Sequence, residues 1–308
     1  MKHWRFSHGF PLLARMPGAL PWHLAAWLGH APRAEQLATR NYLIENFARV
    51  FPGEPARVYA QWAERHLALL AREMMDAAAL HRLGQPGGVR MEMAGWEHMA
   101  QLKAQGRGVI VVLTHFDRLM ASLVGMAARG MTLNHLTMPI DDNAALEPAQ
   151  RAFLSRKTQS LARILKGAAR TTAESLRPVH KDLQAGQTWV IVADAWSPSF
   201  RRMREHAFLG GRIRLPTGIE RLARATGAAM VQATTYSRAA DRLSLLIEPL
   251  PAEPEVALDQ VVARLERDVR QYPWAWWHWG VFNQMWTPPA SSDCDGARRD
   301  ETGDDQHG

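Results

Sequence analysis

Apolar residues along this chain fall into two patterns, short unbroken runs and longer stretches in which they recur every three to four positions. The second pattern predicts two helices within 34–83. The first carries Asn41 and Asn46 and ends at the Phe51-Pro52-Gly53 break. The second runs from Pro55 to Leu83 and repeats Val58, Trp62, His66, Leu69, Leu70, Met74 and Ala77. The Gly84-Gln85-Pro86-Gly87-Gly88 cluster stops it. Helix resumes over 95–104, and Gly106-Arg107-Gly108 turns the chain into Val109-Ile110-Val111-Val112-Leu113-Thr114. That run is rich in β-branched residues and has no polar alternation, which predicts a strand covered on both faces.

The same reading gives a helix over 116–129, a strand over 131–138, and helices over 148–166 and 172–185. Trp189-Val190-Ile191-Val192-Ala193-Asp194 is a second buried strand, ending in an acid. A helix over 217–227 is closed by Gly227, strands follow at 229–236 and 243–248, and 255–271 is the last helix. Alternating strands and helices predict an α/β fold: a mixed, mainly parallel central sheet flanked by helices, with a helical N-terminal region. There is no internal repeat. The expected division is an interfacial segment over 1–33, a single α/β domain over 34–287 and a disordered tail over 288–308, where Pro, Ser, Asp and Gly dominate.

Charge adds a constraint. The net charge is +7, yet 290–308 carries six acids against two arginines, so the remainder is more basic than the whole. The basic residues are nearly all arginine, with only five lysines. Such a body suits an anionic partner, and arginine favours forked phosphate or carboxylate contacts. Nucleic acid fits poorly, because no recognition helix, finger or RNA-binding aromatic motif accompanies the charge. Cys294 is the only cysteine, so an intrachain disulfide and a thiolate zinc site are excluded. The histidines show no ligand spacing, and no metal or resident cofactor is expected.

Between Arg15 and Arg33 the chain is uncharged but broken by Pro17, Gly18, Pro21, Gly29 and Pro32, too short and irregular to span a bilayer. It is also a poor signal peptide. Within it, Trp22, Leu24, Trp27 and Leu28 can face either a lipid interface or the protein's own core. Near the other end, Trp274, Trp276, Trp277, Trp279 and Trp286 place five of twelve tryptophans in one short stretch. Indoles favour membrane boundaries, so partial exposure and peripheral attachment to an anionic membrane face are expected.

In open α/β sheets ligands sit beyond the carboxyl ends of the strands. Two such ends carry titratable groups, Thr114-His115 and Asp194. A histidine held at the sheet rim suits a general base, because an imidazole with an ordinary pKa near ~6.5 accepts a proton at neutral pH.

Thr114-His115-Phe116 after a Val/Ile strand resembles the strand–histidine motif of glycerolipid-type acyltransferases. More closely, the chain from about residue 30 to 283 resembles the lipid A biosynthesis (lauroyl/myristoyl) acyltransferase family. The resemblance rests on Arg40 to Pro52, Gly95-Trp96-Glu97-His98-Met99, Gly106-Arg107-Gly108, Ala193-Asp194, Ala207-Phe208-Leu209-Gly210-Gly211 and Leu215-Pro216-Thr217-Gly218, in that order. The family motif is His-x4-Asp/Glu, and here the place of the acid is taken by Met120. Asp117 is the nearest carboxylate. Either it reaches back to the imidazole, or it complements the dipole of the following helix. Asp194 is a second candidate to orient the ring. The arginine expected before the proline of the second strand is replaced in Met138-Pro139.

The resemblance implies acyl transfer at the cytoplasmic face of a bacterial inner membrane. The donor would be an acyl thioester on acyl carrier protein or coenzyme A, and the acceptor a hydroxyl or amine of a lipid or glycolipid. His115 would remove the acceptor's proton. Arg212 or Arg214 would face the oxyanion, and Arg201, Arg202 and Arg204 would bind phosphates or the acidic carrier. The competing expectation is a relative that binds lipid or acyl carrier but has lost catalysis, since Met120 breaks the motif.

Overall fold

A computed structural model describes residues 5–30, 34–140 and 147–289. Helical turns over Arg5–Leu13 precede α1 (Leu20–His30), α2 (Ala34–Val50) and α3 (Ala56–Ala78). The chain continues through β1 (Arg90–Ala94), α4 (Trp96–Ala104), β2 (Val109–Leu113), α5 (Leu119–Ala128), β3 (Leu133–Thr137), α6 (Pro148–Leu165), β4 (Lys166–Thr171), α7 (Arg177–Gln184) and β5 (Thr188–Val192). A hairpin, β6 (Met203–Phe208) and β7 (Gly211–Pro216), is followed by α8 (Gly218–Thr226), β8 (Ala229–Ala239), β9 (Arg242–Pro249), α9 (Pro254–Gln271) and the short β10 (Trp286–Thr287).

Seven strands form one sheet in the order β1-β9-β8-β2-β5-β3-β4. Only the β8–β9 pair is antiparallel. The expected mixed, mainly parallel sheet is therefore present, and β2 is its centre, buried at all five positions. Along β2, Val109, Val111 and Leu113 point to one face, where Leu119 and Leu123 of α5 and Leu161 and Leu165 of α6 cover them. Ile110 and Val112 point to the other, under α7, α8 and α9. Alternate side chains of a strand take opposite faces, so an unbroken apolar run is what a doubly covered strand requires.

The sequence reading missed β1, β4, β6, β7 and β10. β6 and β7 pair antiparallel in a second, three-stranded sheet of order β10-β7-β6. Their apolar residues alternate with arginines and glutamate, a half-buried hairpin that looks like a polar loop when the arginines are counted as charge. Its turn places Leu209 and Gly210 at φ 51° and 77°, the pair of left-handed residues that a tight hairpin demands. β4 fills the gap between the helices expected over 148–166 and 172–185, and a turn over 172–176 delays α7 to Arg177. The helix expected from Phe116 begins at Leu119, because Phe116 pairs with Trp276 instead.

The tryptophan-rich stretch departs from the expected exposure in part, since Trp274 and Trp277 stay half-buried while the other three are buried. Trp276 and Trp279 are fully buried and Trp286 nearly so, in a cluster with Phe47, Phe208 and Phe282. Burial of so many indoles is possible because their N–H groups find internal acceptors. Trp279 donates to the Pro273 carbonyl at 2.6 Å, Trp286 to the Phe208 carbonyl at 2.8 Å and Trp277 to the Asp117 carbonyl at 2.7 Å.

α1 has one buried and one exposed apolar face. Trp22 and Ala25 are buried, and Gly29 lies so close to the Ala68 backbone of α3 that a Cβ there would sit 2.5 Å from the Ala68 Cα. Leu20, Trp27 and Leu28 are exposed on the other side, with Trp27 at 68%. No described helix is long and apolar enough to cross a membrane. The expected tail lies, beyond Pro289, outside the described residues, as do 1–4 and 31–33 of the N-terminal segment.

Candidate active site

β2 delivers Thr114-His115 to the carboxyl rim of the sheet, and its neighbour β5 delivers Asp194 beside it. The two ends are level because Leu113 pairs with Val192 in parallel register. His115 Nδ1 lies 3.0 Å from Asp194 Oδ1. The His115 backbone N–H also donates to the same carboxylate, at 2.9 and 3.1 Å to its two oxygens. Trp276 Nε1 donates to Asp194 Oδ2 at 2.9 Å. The Asp194 side chain is completely buried, whereas the His115 side chain remains 24% exposed.

Burial alone would push the Asp194 carboxyl upward. The imidazoles of His115 and His278 and the hydrogen bonds from His115 and Trp276 outweigh it, holding the group well below the usual carboxylate range. Asp194 is therefore an anion at neutral pH, and a charge-assisted bond draws the His115 proton to Nδ1. Nε2 is left as the open nitrogen.

The tryptophan-rich segment completes the site. Its backbone runs beside residues 115–117: the Asp117 N–H donates to the Ala275 carbonyl at 2.8 Å and the Trp277 N–H to the His115 carbonyl at 2.9 Å. His278 Nε2 is thereby set 2.9 Å from His115 Nδ1. Burial, with the adjacent His115, lowers the His278 pKa to about 4, so this ring is neutral and its lone pair can share the His115 Nδ1 proton. Trp276 and His278 were not singled out as site residues from the sequence. They lie more than 160 positions from His115, and only their density of aromatic residues marked the segment.

Asp117 does not serve the imidazole. Its backbone is left-handed, at φ 47°, and its carboxylate accepts from the Ser237 N–H and Oγ, both at 2.6 Å. Nor does it cap a helix, since α5 starts two residues later. The arginines are dispersed as well. Arg204 on β6 is held by Glu220 at 2.7 Å and Asp259 at 2.9 Å. Arg212 and Arg214 lie on the exposed face of β7, and neither lines the cavity beside His115. Alternate residues of a strand point to opposite faces, and on β7 Ile213 and Leu215 take the buried one. Arg201 and Arg202 are exposed and line a neighbouring cavity of 350 Å³.

The His115 cavity measures 330 Å³ and opens over the carboxyl ends of β2, β5 and β3. Met120, Leu123, Leu136, Leu161 and Trp277 make its walls apolar. It shares Leu136, Thr172, Ile191, Val192 and Ala195 with the arginine-lined cavity, so the two adjoin at the sheet rim. Among the described residues, His115, Asp194 and His278 are also the group with metal-ligand chemistry, their ligand atoms lying within 4.8 Å of one another. Their mutual hydrogen bonds already account for that proximity.

An imidazole fixed by a buried carboxylate, open to an apolar cavity with arginines alongside, can take a proton from a nucleophile while a hydrocarbon lies next to it. Against known proteins, residues 3–280 match the family model described as bacterial lipid A biosynthesis acyltransferase. No curated protein matches the chain.

Proposed function

Since the chain belongs to the bacterial lipid A biosynthesis acyltransferase family, we propose that it moves a fatty acyl group from a thioester to a lipid acceptor, with His115 as general base and Asp194 as its orienting acid. The observation that carries this reading is the 3.0 Å contact between His115 Nδ1 and buried Asp194, with the other edge of the ring open to an apolar cavity. The acid is supplied by β5 and replaces one from the helix after the histidine, where Met120 contributes apolar wall.

The step proceeds as follows. An acceptor hydroxyl or amine gives its proton to His115 Nε2 as it attacks the thioester carbonyl. The imidazolium formed is stabilised by the Asp194 carboxylate. When the tetrahedral adduct collapses, the carbon–sulfur bond breaks and His115 returns the proton to the thiolate. The acyl chain occupies the apolar cavity, and Arg201 and Arg202 receive phosphate from the donor or acceptor. The donor is an acyl carrier protein or coenzyme A thioester, and the acceptor a lipid or glycolipid precursor. The exposed Leu12, Leu20, Trp27 and Leu28 support peripheral attachment to the cytoplasmic face of the bacterial inner membrane.

The test is thiol release from dodecanoyl thioesters in the presence of a lipid A precursor. His115→Ala is expected to lower the rate by about a thousandfold or more with the fold retained by circular dichroism. A folded His115→Ala protein with unchanged turnover would refute the assignment.

A further inference from the structure

We propose, resting on the acyl-transfer reading above, that the cavity beside His115 accepts an acyl chain bearing a hydroxyl group near its far end, and that His135 binds that hydroxyl.

His135 is the third residue of β3 and only 5% exposed, yet both of its ring nitrogens lack a hydrogen-bond partner in the protein. It lines the His115 cavity, whose wall is mostly hydrocarbon, with Leu154, Leu161 and Val190, and has Lys157, Thr158 and Thr172 among its polar members. Buried polar side-chain atoms are ordinarily paired, so an imidazole in the cavity wall with both nitrogens buried and unpaired marks a place where a small shift of the ring would let it meet a polar atom of the occupant. Burial lowers the His135 pKa, which keeps the ring neutral with one N–H donor and one lone pair. A hydroxyl can accept from the ring N–H or donate to the ring lone pair, and so satisfies one of the two nitrogens. A plain methylene at that place would leave both nitrogens dry and unsatisfied.

The sheet register fixes how deep this contact lies. His135 and Val111 both pair with Val190, while Leu113, nearer the rim, pairs with Val192. His135 is thus two strands across from β2 and two residues below Leu113, about 10 Å sideways and about 7 Å down the strands. His115 stands beyond Leu113 at the mouth. A hydroxyl beside the thioester carbon would stay near His115, so the group that His135 meets belongs to the distal part of the chain.

The experiment is calorimetric titration of the full chain with dodecanoate, 3-hydroxydodecanoate and 12-hydroxydodecanoate. The expected result is about tenfold tighter binding of 12-hydroxydodecanoate than of dodecanoate. His135→Leu is expected to remove that preference while binding dodecanoate at least as well, and His135→Gln, which keeps a donor and an acceptor, to retain it. Equal affinities in the unaltered protein, a preference for the 3-hydroxy isomer, a preference that survives His135→Leu, or no measurable binding of any of the three would each overturn the proposal. Binding is read without turnover, so His115→Ala is expected to keep the same preference. Failure of the acyl-transfer reading would instead appear in the thiol-release assay.

Discussion

At the scale of single residues, the account turns on which carboxylate serves His115. Asp194 receives three kinds of donor, the His115 ring, the His115 backbone and the Trp276 indole, and it is wholly buried. Replacing it with asparagine keeps the size but removes the charge that stabilises an imidazolium, so acyl transfer is expected to fall by about a hundredfold or more. Asp117→Asn breaks a bond to Ser237 and is expected to lower stability, measured by urea unfolding, by about 1–2 kcal/mol while leaving turnover within a few-fold. His115 and Asp194 were both visible in the sequence as residues at strand ends. Asp194 could be named only as one of two candidate partners, because their pairing depends on the adjacency of β2 and β5, and two other strands and three helices intervene along the chain. Trp276 and His278 were hidden for the same reason. Nothing local distinguishes an indole that holds a carboxylate from one that lies at a lipid surface.

At the scale of elements, the site rests on buried polar ties between segments far apart in sequence. Asp76 of α3 accepts from Trp22 Nε1 of α1 at 2.7 Å and from Arg118 Nε, just before α5, at 2.7 Å. Arg118 and Asp76 are both fully buried, so Asp76→Asn strands a guanidinium in the interior. It is expected to cost about 3–5 kcal/mol in urea unfolding. The conservative Trp22→Phe, which removes one hydrogen bond, is expected to cost about 1 kcal/mol. His66 of α3 pins the tryptophan-rich segment through a 2.9 Å contact between Nδ1 and the Trp274 carbonyl. Burial lowers its pKa to about 4, as with His278. Above pH ~6.5 these rings are neutral in both states and do not alter stability. As the pH falls from 6.5 towards 4, the unfolded chain takes up protons that the folded one refuses, so the folded state loses up to roughly 3 kcal/mol per histidine. Unfolding midpoints measured at pH 7 and pH 4.5 should therefore diverge strongly, and equal midpoints would contradict the burial of these rings. The central strands were legible because doubly covered strands must be apolar throughout. The β6–β7 hairpin was not, because its exposed face carries arginines that resemble a loop.

At the scale of the molecule, the exposed apolar residues gather at the N-terminal end. Leu12, Leu20, Trp27, Leu28 and Leu37 are all exposed, while the face of α1 opposite Trp27 is sealed against α3. A basic protein with such a patch is expected to bind vesicles containing anionic lipid, more weakly as salt is raised. The double substitution Leu12→Ser and Trp27→Ser is expected to weaken that binding about tenfold or more, measured by vesicle sedimentation, without changing the unfolding midpoint, since neither side chain is packed in the core. The arginine excess suits an anionic partner at this scale. Which arginines take part depends on which are already neutralised, as Arg204 is by Glu220 and Asp259, and ion pairs across separate elements leave no trace in composition.

The most direct test is the steady-state rate of thiol release from a dodecanoyl thioester to a lipid A precursor, compared between folded Asp194→Asn and folded Asp117→Asn proteins. A loss of about a hundredfold in the first with near-normal turnover in the second is the expected result. Near-normal turnover in Asp194→Asn, with the loss falling on Asp117→Asn, would contradict it.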